Sequence, residues 1–143
     1  MIVQQLSVFL ENKSGRLARV TEILGENNIN IRALSIADTT DFGILRLIVN
    51  KPFEAYNLLK AEQFMVSLTD VIAVEVPDSP GGLAGVLRTL EPHHINIEYL
   101  YAFVEKSSDD ALVVFRVEEV EKAIKILTEN GIKVLKGSEV YSL

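Results

Sequence analysis

The chain has no cysteine and only two histidines among its 143 residues. Without cysteine there can be no disulfide, no thiolate nucleophile and no cysteine-ligated zinc. The absence also fits a reducing compartment. The two histidines, His93 and His94, stand side by side at a predicted helix end, and no serine or carboxylate partner is placed near them by spacing. They read as ordinary polar residues rather than as metal ligands or catalytic bases. No nucleophile–base pair and no acidic cluster offers itself elsewhere, so neither an enzyme nor a cofactor is expected. Uninterrupted apolar runs all fall short of the roughly 20 residues needed to cross a bilayer. The opening Met1-Ile2-Val3-Gln4-Gln5-Leu6 lacks the basic start and long apolar stretch of a signal peptide. Basic residues are outnumbered, 14 Lys and Arg against 20 Asp and Glu, for a net charge of -6. Such a surface repels phosphate backbones. The expectation is a soluble cytoplasmic protein with neither a membrane nor a nucleic-acid partner.

What the sequence does have is a globular balance, 48% hydrophobic and 24% charged, and an internal repeat. Shifting residues 6–37 by 66 positions lays them on 72–103 with ten identities among 32 pairs, including Gly15/Gly81, Leu17/Leu83, Asn30/Asn96, Ile31/Ile97 and Leu34/Leu100. Further on the offset becomes 68 and pairs Val49 with Val117, Leu59 with Leu127 and Val66 with Val134. The two additional residues fall near 106–110, a polar stretch suited to a hairpin loop.

Each copy spells one series of elements. Short apolar runs at 6–10 and 72–76 read as strands. A polar turn with glycine follows, Asn12-Lys13-Ser14-Gly15 and Asp78-Ser79-Pro80-Gly81. Next come amphipathic helices, with Leu17, Val20, Ile23 and Leu24 on one face and Leu83, Val86, Leu87 and Leu90 on the other copy's. Asn28 and His94 mark the helix ends. Second strands are predicted over 30–37 and 96–105, third strands over 43–50 and 111–117, and second helices over 52–62 and 119–130. Last strands start near Met65 and Lys133. The order β-α-β-β-α-β, twice, is the α+β ferredoxin-like unit, expected as four-stranded antiparallel sheets with two helices on one face. The expected domains are residues 1–70 and 71–143. The junction 65–76 has neither glycine nor proline, so one strand is expected to run almost directly into the next.

The best place for chemistry is the glycine turn. Glycine lets backbone approach a ligand closely, and the helix start beyond it offers unpaired N–H groups and a positive dipole end for a carboxylate. Candidate ligand-binding residues are therefore Asn12, Ser14, Gly15, Arg16 and Leu17, with Asp78, Pro80, Gly81, Gly82 and Leu83 in the second copy. Asn30 and Ile31, and Asn96 and Ile97, open the second strands, and an amide there can meet either end of a zwitterion. A tight turn and a capping Asn explain the same residues without a ligand. The two features start at opposite ends of a crossover helix. A two-fold arrangement would bring Asn12 toward Asn96 and Asp78 toward Asn30. Gly81-Gly82-Leu83-Ala84-Gly85 has the wrong spacing for a dinucleotide loop and lacks the parallel βαβ setting. Tyr99, Tyr101 and Phe103 alternate on one strand face and read as a packing stripe, or as a pocket wall or dimer surface.

On these residues the chain resembles the tandem ACT domain proteins. The stretch 6–17 with Asn28-Ile29-Asn30-Ile31 is similar to the family's opening strand, glycine turn and second-strand entry. Residues 72–83 with His94-Ile95-Asn96-Ile97 repeat it. The resemblance covers nearly the whole chain. It implies a non-catalytic regulatory module that binds an amino acid at an interface between paired units. In serine-binding members the ligand is gripped at positions matching Asn12 and Asn30, with Asp78 and Asn96 their counterparts. Asp78 departs from the pattern, since a carboxylate opposes a ligand carboxylate. The first copy also resembles the acetolactate synthase regulatory subunit, but the second copy keeps the family's pattern, so a stand-alone sensor is the leading expectation and a regulatory subunit of such a synthase the alternative. The resemblance thus implies an amino-acid ligand and a metabolic enzyme as partner. Exposed sheet faces point to a homodimer, with internal pairing of the two copies as the alternative.

Overall fold

Apolar residues alternate along the first segment, and in an extended chain alternation places them on one face. The computed structural model, which describes residues 1–38, 41–104 and 109–143, shows this as β1 (Val3–Glu11), with Leu6, Val8 and Leu10 buried. Then follow α1 (Arg16–Glu26), β2 (Ile31–Asp38), β3 (Phe42–Val49), α2 (Pro52–Ala61) and β4 (Met65–Pro77). The second half supplies α3 (Gly82–Leu90), a 3-10 turn (Glu91–His93), β5 (Ile97–Ala102), β6 (Asp110–Val117), α4 (Val120–Glu129) and α5 (Gly137–Tyr141). The chain is α+β, and it divides into two compact units: Gln4–Thr69, and Asp70–Leu143 together with Met1–Val3.

The repeat extends to backbone conformation. Gly15 and Gly81 sit at φ 87° and 84°, Asn28 and His94 at 57° and 56°, and Gln63 and Gly131 at 67° and 74°. Each pair occupies one position of the repeat, so the same three reversals are made twice. Asn28 and His94 take the left-handed conformation that turns the chain after the first helix of each copy.

Each unit has its own core between helices and sheet. In the first, Leu6, Val8, Leu45 and Leu47 pack with Val20, Ile23, Leu24 and Leu59. In the second, Ile72, Val74, Phe115 and Val117 pack with Val86, Leu90, Ile126 and Leu127. Each such fully buried side chain contributes about 1.5–3 kcal/mol. Tyr99 and Tyr101 lie on the opposite face of β5, stacked with ring centroids 6.5 Å apart.

Two expectations are corrected. Two separate four-stranded sheets do not form, because the hydrogen-bonded order is one six-stranded sheet, β2-β3-β1-β4-β6-β5. The cause is β4, whose thirteen residues include both the last strand of the first copy and the first strand of the second. The strand expected from Lys133 onward shrinks to a single antiparallel bridge, Val134 with Val74. Beyond it the Glu139 carboxylate accepts the Lys136 backbone N–H at 3.0 Å and starts α5 instead. The predicted end of the second strand of copy two, at residue 105, and most of the loop near 106–110 lie outside the described residues.

Candidate functional site

In the first unit β1 and β2 each pair antiparallel with β3, so they run parallel and end together. Their ends and the glycine turn line a half-open cleft of about 210 Å³. Leu10 and Glu11 come from β1, Asn12 and Lys13 from the turn, and Arg16 and Leu17 from the first turn of α1. Ile36, Asp38 and Gly43 come from the adjoining ends of β2 and β3. Three predicted residues, Asn12, Arg16 and Leu17, thus line one cavity. Ser14 and Gly15 shape the turn without lining it. The helical ladder of α1 begins with Arg19 N–H to Gly15 C=O at 3.0 Å, and Arg16 N–H turns back to Lys13 C=O at 3.3 Å. The N–H groups of Leu17 and Ala18 come before that ladder, at the positive end of the helix.

The cleft carries both signs of charge. Lys13 Nζ lies 2.8 Å from the Glu11 carboxylate, and its hydrogen bond and charge hold the Glu11 pKa below the ordinary carboxylate range. The Arg16 guanidinium lies over the Phe64 ring, 4.6 Å from its centroid. Its buried Nε has no hydrogen-bond partner among the described residues. Asp38, on the same face of β2 as Ile36, was not among the predicted site residues. The signal that points to it is topological: parallel β1 and β2 must finish at one end of the sheet.

Asn30 does not join this cleft. It stands at the start of β2, the far end of the sheet. There its N–H donates to Asn50 Oδ1 at 2.9 Å, while Asn50 N–H donates to Asn30 C=O at 3.1 Å. Ile31 next to it pairs with Val49 and packs on the first core. Within one unit Asn12 and Asn30 are therefore separated by the length of the sheet.

The second unit repeats the turn with different side chains. Gly82 replaces Arg16 and Gly85 replaces Arg19 in register. A Cβ at Gly82 would sit 1.9 Å from the Pro77 carbonyl oxygen, so only glycine fits there. A cleft of about 280 Å³ opens beside it, lined by Pro77, Gly82, Gly85, Glu75, Asp110, Ile132 and Lys133 among others. Lys133 Nζ lies 3.7 Å from the Glu75 carboxylate. Asp78, Pro80 and Gly81 form the exposed turn, and Leu83 packs against the second core. Asn96 and Ile97 line a different, open groove of about 550 Å³ with Leu87, Arg88 and His94. The Asn96 amide reaches Glu118 Oε1 at 3.5 Å.

Among the described residues no group of three or more His, Asp or Glu side chains could hold a metal ion. No described helix is long and apolar enough to cross a membrane.

Protein BT0572 from Bacteroides thetaiotaomicron, known from its crystal structure, is 47% identical, with all of this chain and 98% of that one covered and a TM-score of 0.94. The regulatory subunit of aspartate kinase from Thermus thermophilus shares the fold at 18% identity and a TM-score of 0.62, over 88% of this chain and 91% of that one. The acetolactate synthase small subunit of Haemophilus influenzae is 36% identical over 69 residues, 48% of this chain. The match spans 42% of that protein, less than half of its length. The family model described as an ACT domain pair matches residues 1–143 from end to end; this chain belongs to the ACT domain pair family.

Proposed function

We propose that this chain is a regulatory protein of amino-acid metabolism that senses an amino acid at the glycine turn of its first unit and acts on a partner enzyme. It is not itself an enzyme. The observation that carries the reading is the cleft of about 210 Å³ lined by Asn12, Arg16, Leu17 and Asp38. It is smaller than the roughly 300–1,000 Å³ pockets that take drug-sized ligands, and it suits a solute of amino-acid size. The free N–H groups at the start of α1 and the Arg16 guanidinium offer donors to a carboxylate. Asp38 offers an acceptor to an ammonium, and the Asn12 amide can serve either. Leu10, Leu17 and Ile36 form the apolar wall against which an aliphatic side chain would lie.

The likeness of one half of the chain to acetolactate synthase small subunits favours a non-catalytic subunit over a free-standing sensor. A thermal-shift screen of the L-amino acids tests the ligand. A binder at 100 times its Kd adds about 2.7 kcal/mol of stability. Gly15→Val should remove that shift, because φ 87° is costly for a β-branched residue. Asp38→Asn should weaken it without unfolding the chain. A binder indifferent to both substitutions would move the site elsewhere. Co-purification of a large catalytic subunit at fixed stoichiometry would distinguish the subunit from the free-standing sensor.

A further inference from the structure

One place in the fold is built two ways. In the first unit Arg16 lays its guanidinium on the Phe64 ring, 4.6 Å from the centroid. Arg19, further along the same helix, reaches Glu22, Glu26 and Glu62. In the second unit Gly82, Gly85 and Ile132 hold the places of Arg16, Arg19 and Phe64. All three line the cleft of about 280 Å³. That cleft therefore lies where the first unit carries two arginine side chains.

The surroundings have changed as well. Phe9, Phe42 and Met65 of the first unit are exposed apolar side chains. Their counterparts in the repeat are Glu75, Asp110 and Lys133, and all three line the cleft. Over these positions the first unit has two cations and no anion, while the second has two anions and one cation. Where the chain has withdrawn its own guanidinium groups, it has brought in carboxylates.

Glu75 carries the argument further. Its side chain is 19% exposed, and its carboxylate meets Lys133 Nζ at 3.7 Å, too far for a hydrogen bond. Lys133 is shared with Glu139 at 3.6 Å. A largely covered carboxylate held by so long a contact keeps acceptor capacity for a donor. The chain cannot supply that donor from residue 82, because a Cβ there would sit 1.9 Å from the Pro77 carbonyl oxygen. At Gly85 nothing lies within 4 Å of a Cβ, so that wall stands open. Pro77, Val86 and Ile132 add an apolar flank, on which the hydrocarbon stem of a long cation can lie. Carboxylates match the planar fork of a guanidinium best.

We propose that the cleft of the second unit binds a small alkylguanidinium cation, its stem between the glycine face of α3 and Ile132 and its head toward Glu75 and Asp110. The two glycine turns then select opposite charges, the first a carboxylate and the second a cation.

Amide NMR of the full chain, titrated with millimolar n-propylguanidinium chloride against matched sodium chloride, tests this. The probe is an arginine side chain without its backbone. It has no carboxylate, so its outcome is independent of the amino-acid reading of the first unit. Saturable shifts are expected at the amides of Gly85, Gly131 and Ile132. Glu75→Gln should weaken binding roughly 10-fold or more through the lost charge-assisted hydrogen bond. Gly85→Arg returns the first unit's arginine to a position with room for it, and should abolish binding. Circular dichroism accompanies each variant, and Asp110→Asn replaces one that is not folded. Shifts that rise linearly and equally with sodium chloride overturn the proposal, and so does saturable binding that both substitutions leave intact. A blocked arginine tripeptide that binds more tightly than agmatine also overturns it, by giving the cleft to an arginine side chain of another protein.

Discussion

Three glycines within five residues, Gly81, Gly82 and Gly85, should respond to alanine in three different ways. At Gly82 a new Cβ would lie 1.9 Å from the Pro77 carbonyl oxygen and 2.9 Å from its carbon. These are backbone atoms at the end of β4, fixed by its pairing with β6, and cannot rotate away as a side chain would. Overpacking of this kind costs about 1–3 kcal/mol. At Gly81 nothing lies within 4 Å, but φ is 84°, and the left-handed conformation costs an L-residue about 1–2 kcal/mol. Reduced freedom of the unfolded chain returns roughly 0.4–1 kcal/mol of that. At Gly85, inside α3 with no atom within 4 Å of the new methyl, alanine should stabilise by about 0.5–1 kcal/mol. Urea titration of the three variants, read as midpoint shifts at unchanged slope, should give the order Gly85→Ala, wild type, Gly81→Ala, Gly82→Ala from most to least stable. A Gly82→Ala protein as stable as the wild type would refute the reasoning, because it would mean that the turn yields freely.

Truncating either of the repeat-related core leucines, Leu59→Ala or Leu127→Ala, both fully buried, should cost about 2–5 kcal/mol in the same titration. Arg16→Ala should cost about 0.5–1 kcal/mol through the lost stacking on Phe64. It should weaken amino-acid binding more than it weakens the fold, which calorimetry of binding and unfolding on one sample separates. The Glu139 pKa lies below its ordinary value chiefly because the carboxylate accepts the Lys136 N–H. The contribution of that cap to α5 is fully present above the unfolded carboxylate value and is lost as pH falls through the lowered folded value. Protection of the α5 amides relative to their intrinsic exchange rate should fall over that acid window and not above it, and Glu139→Gln should remove that fall.

Most of the architecture was legible because it is written twice. The glycine turn, the left-handed helix ends and the apolar faces recur in register, and each copy checks the other. The missing glycine and proline in 65–76 announced that one strand would run into the next, but not that the result would be a six-stranded order. That depends on which edges pair, and periodicity is silent on pairing. The α5 helix was missed because its start depends on one side chain, Glu139, reaching back to the Lys136 N–H, while the flanking Val134 and Leu135 read equally well as strand. Of the site, Asn12, Arg16 and Leu17 were found from the turn, whereas Asp38 had to be supplied by strand direction. The contrast between Arg16 and Gly82 was visible as two letters. Its meaning, a guanidinium laid on Phe64 against a backbone pressed close to the Pro77 carbonyl, required the positions of those two neighbours.

The shared strand β4 has a practical consequence for anyone who would take this protein apart. Its thirteen residues pass from one unit to the other without a break, so there is no spacer for a protease to clip or for a cloning boundary to respect. A fragment ended at the sequence boundary would carry a ragged strand, and its complement would begin in the middle of a ladder. Single-repeat pieces should therefore be expected to clump or to melt early, whatever the quality of their separate cores, and the pair should be inherited, expressed and lost as one thing.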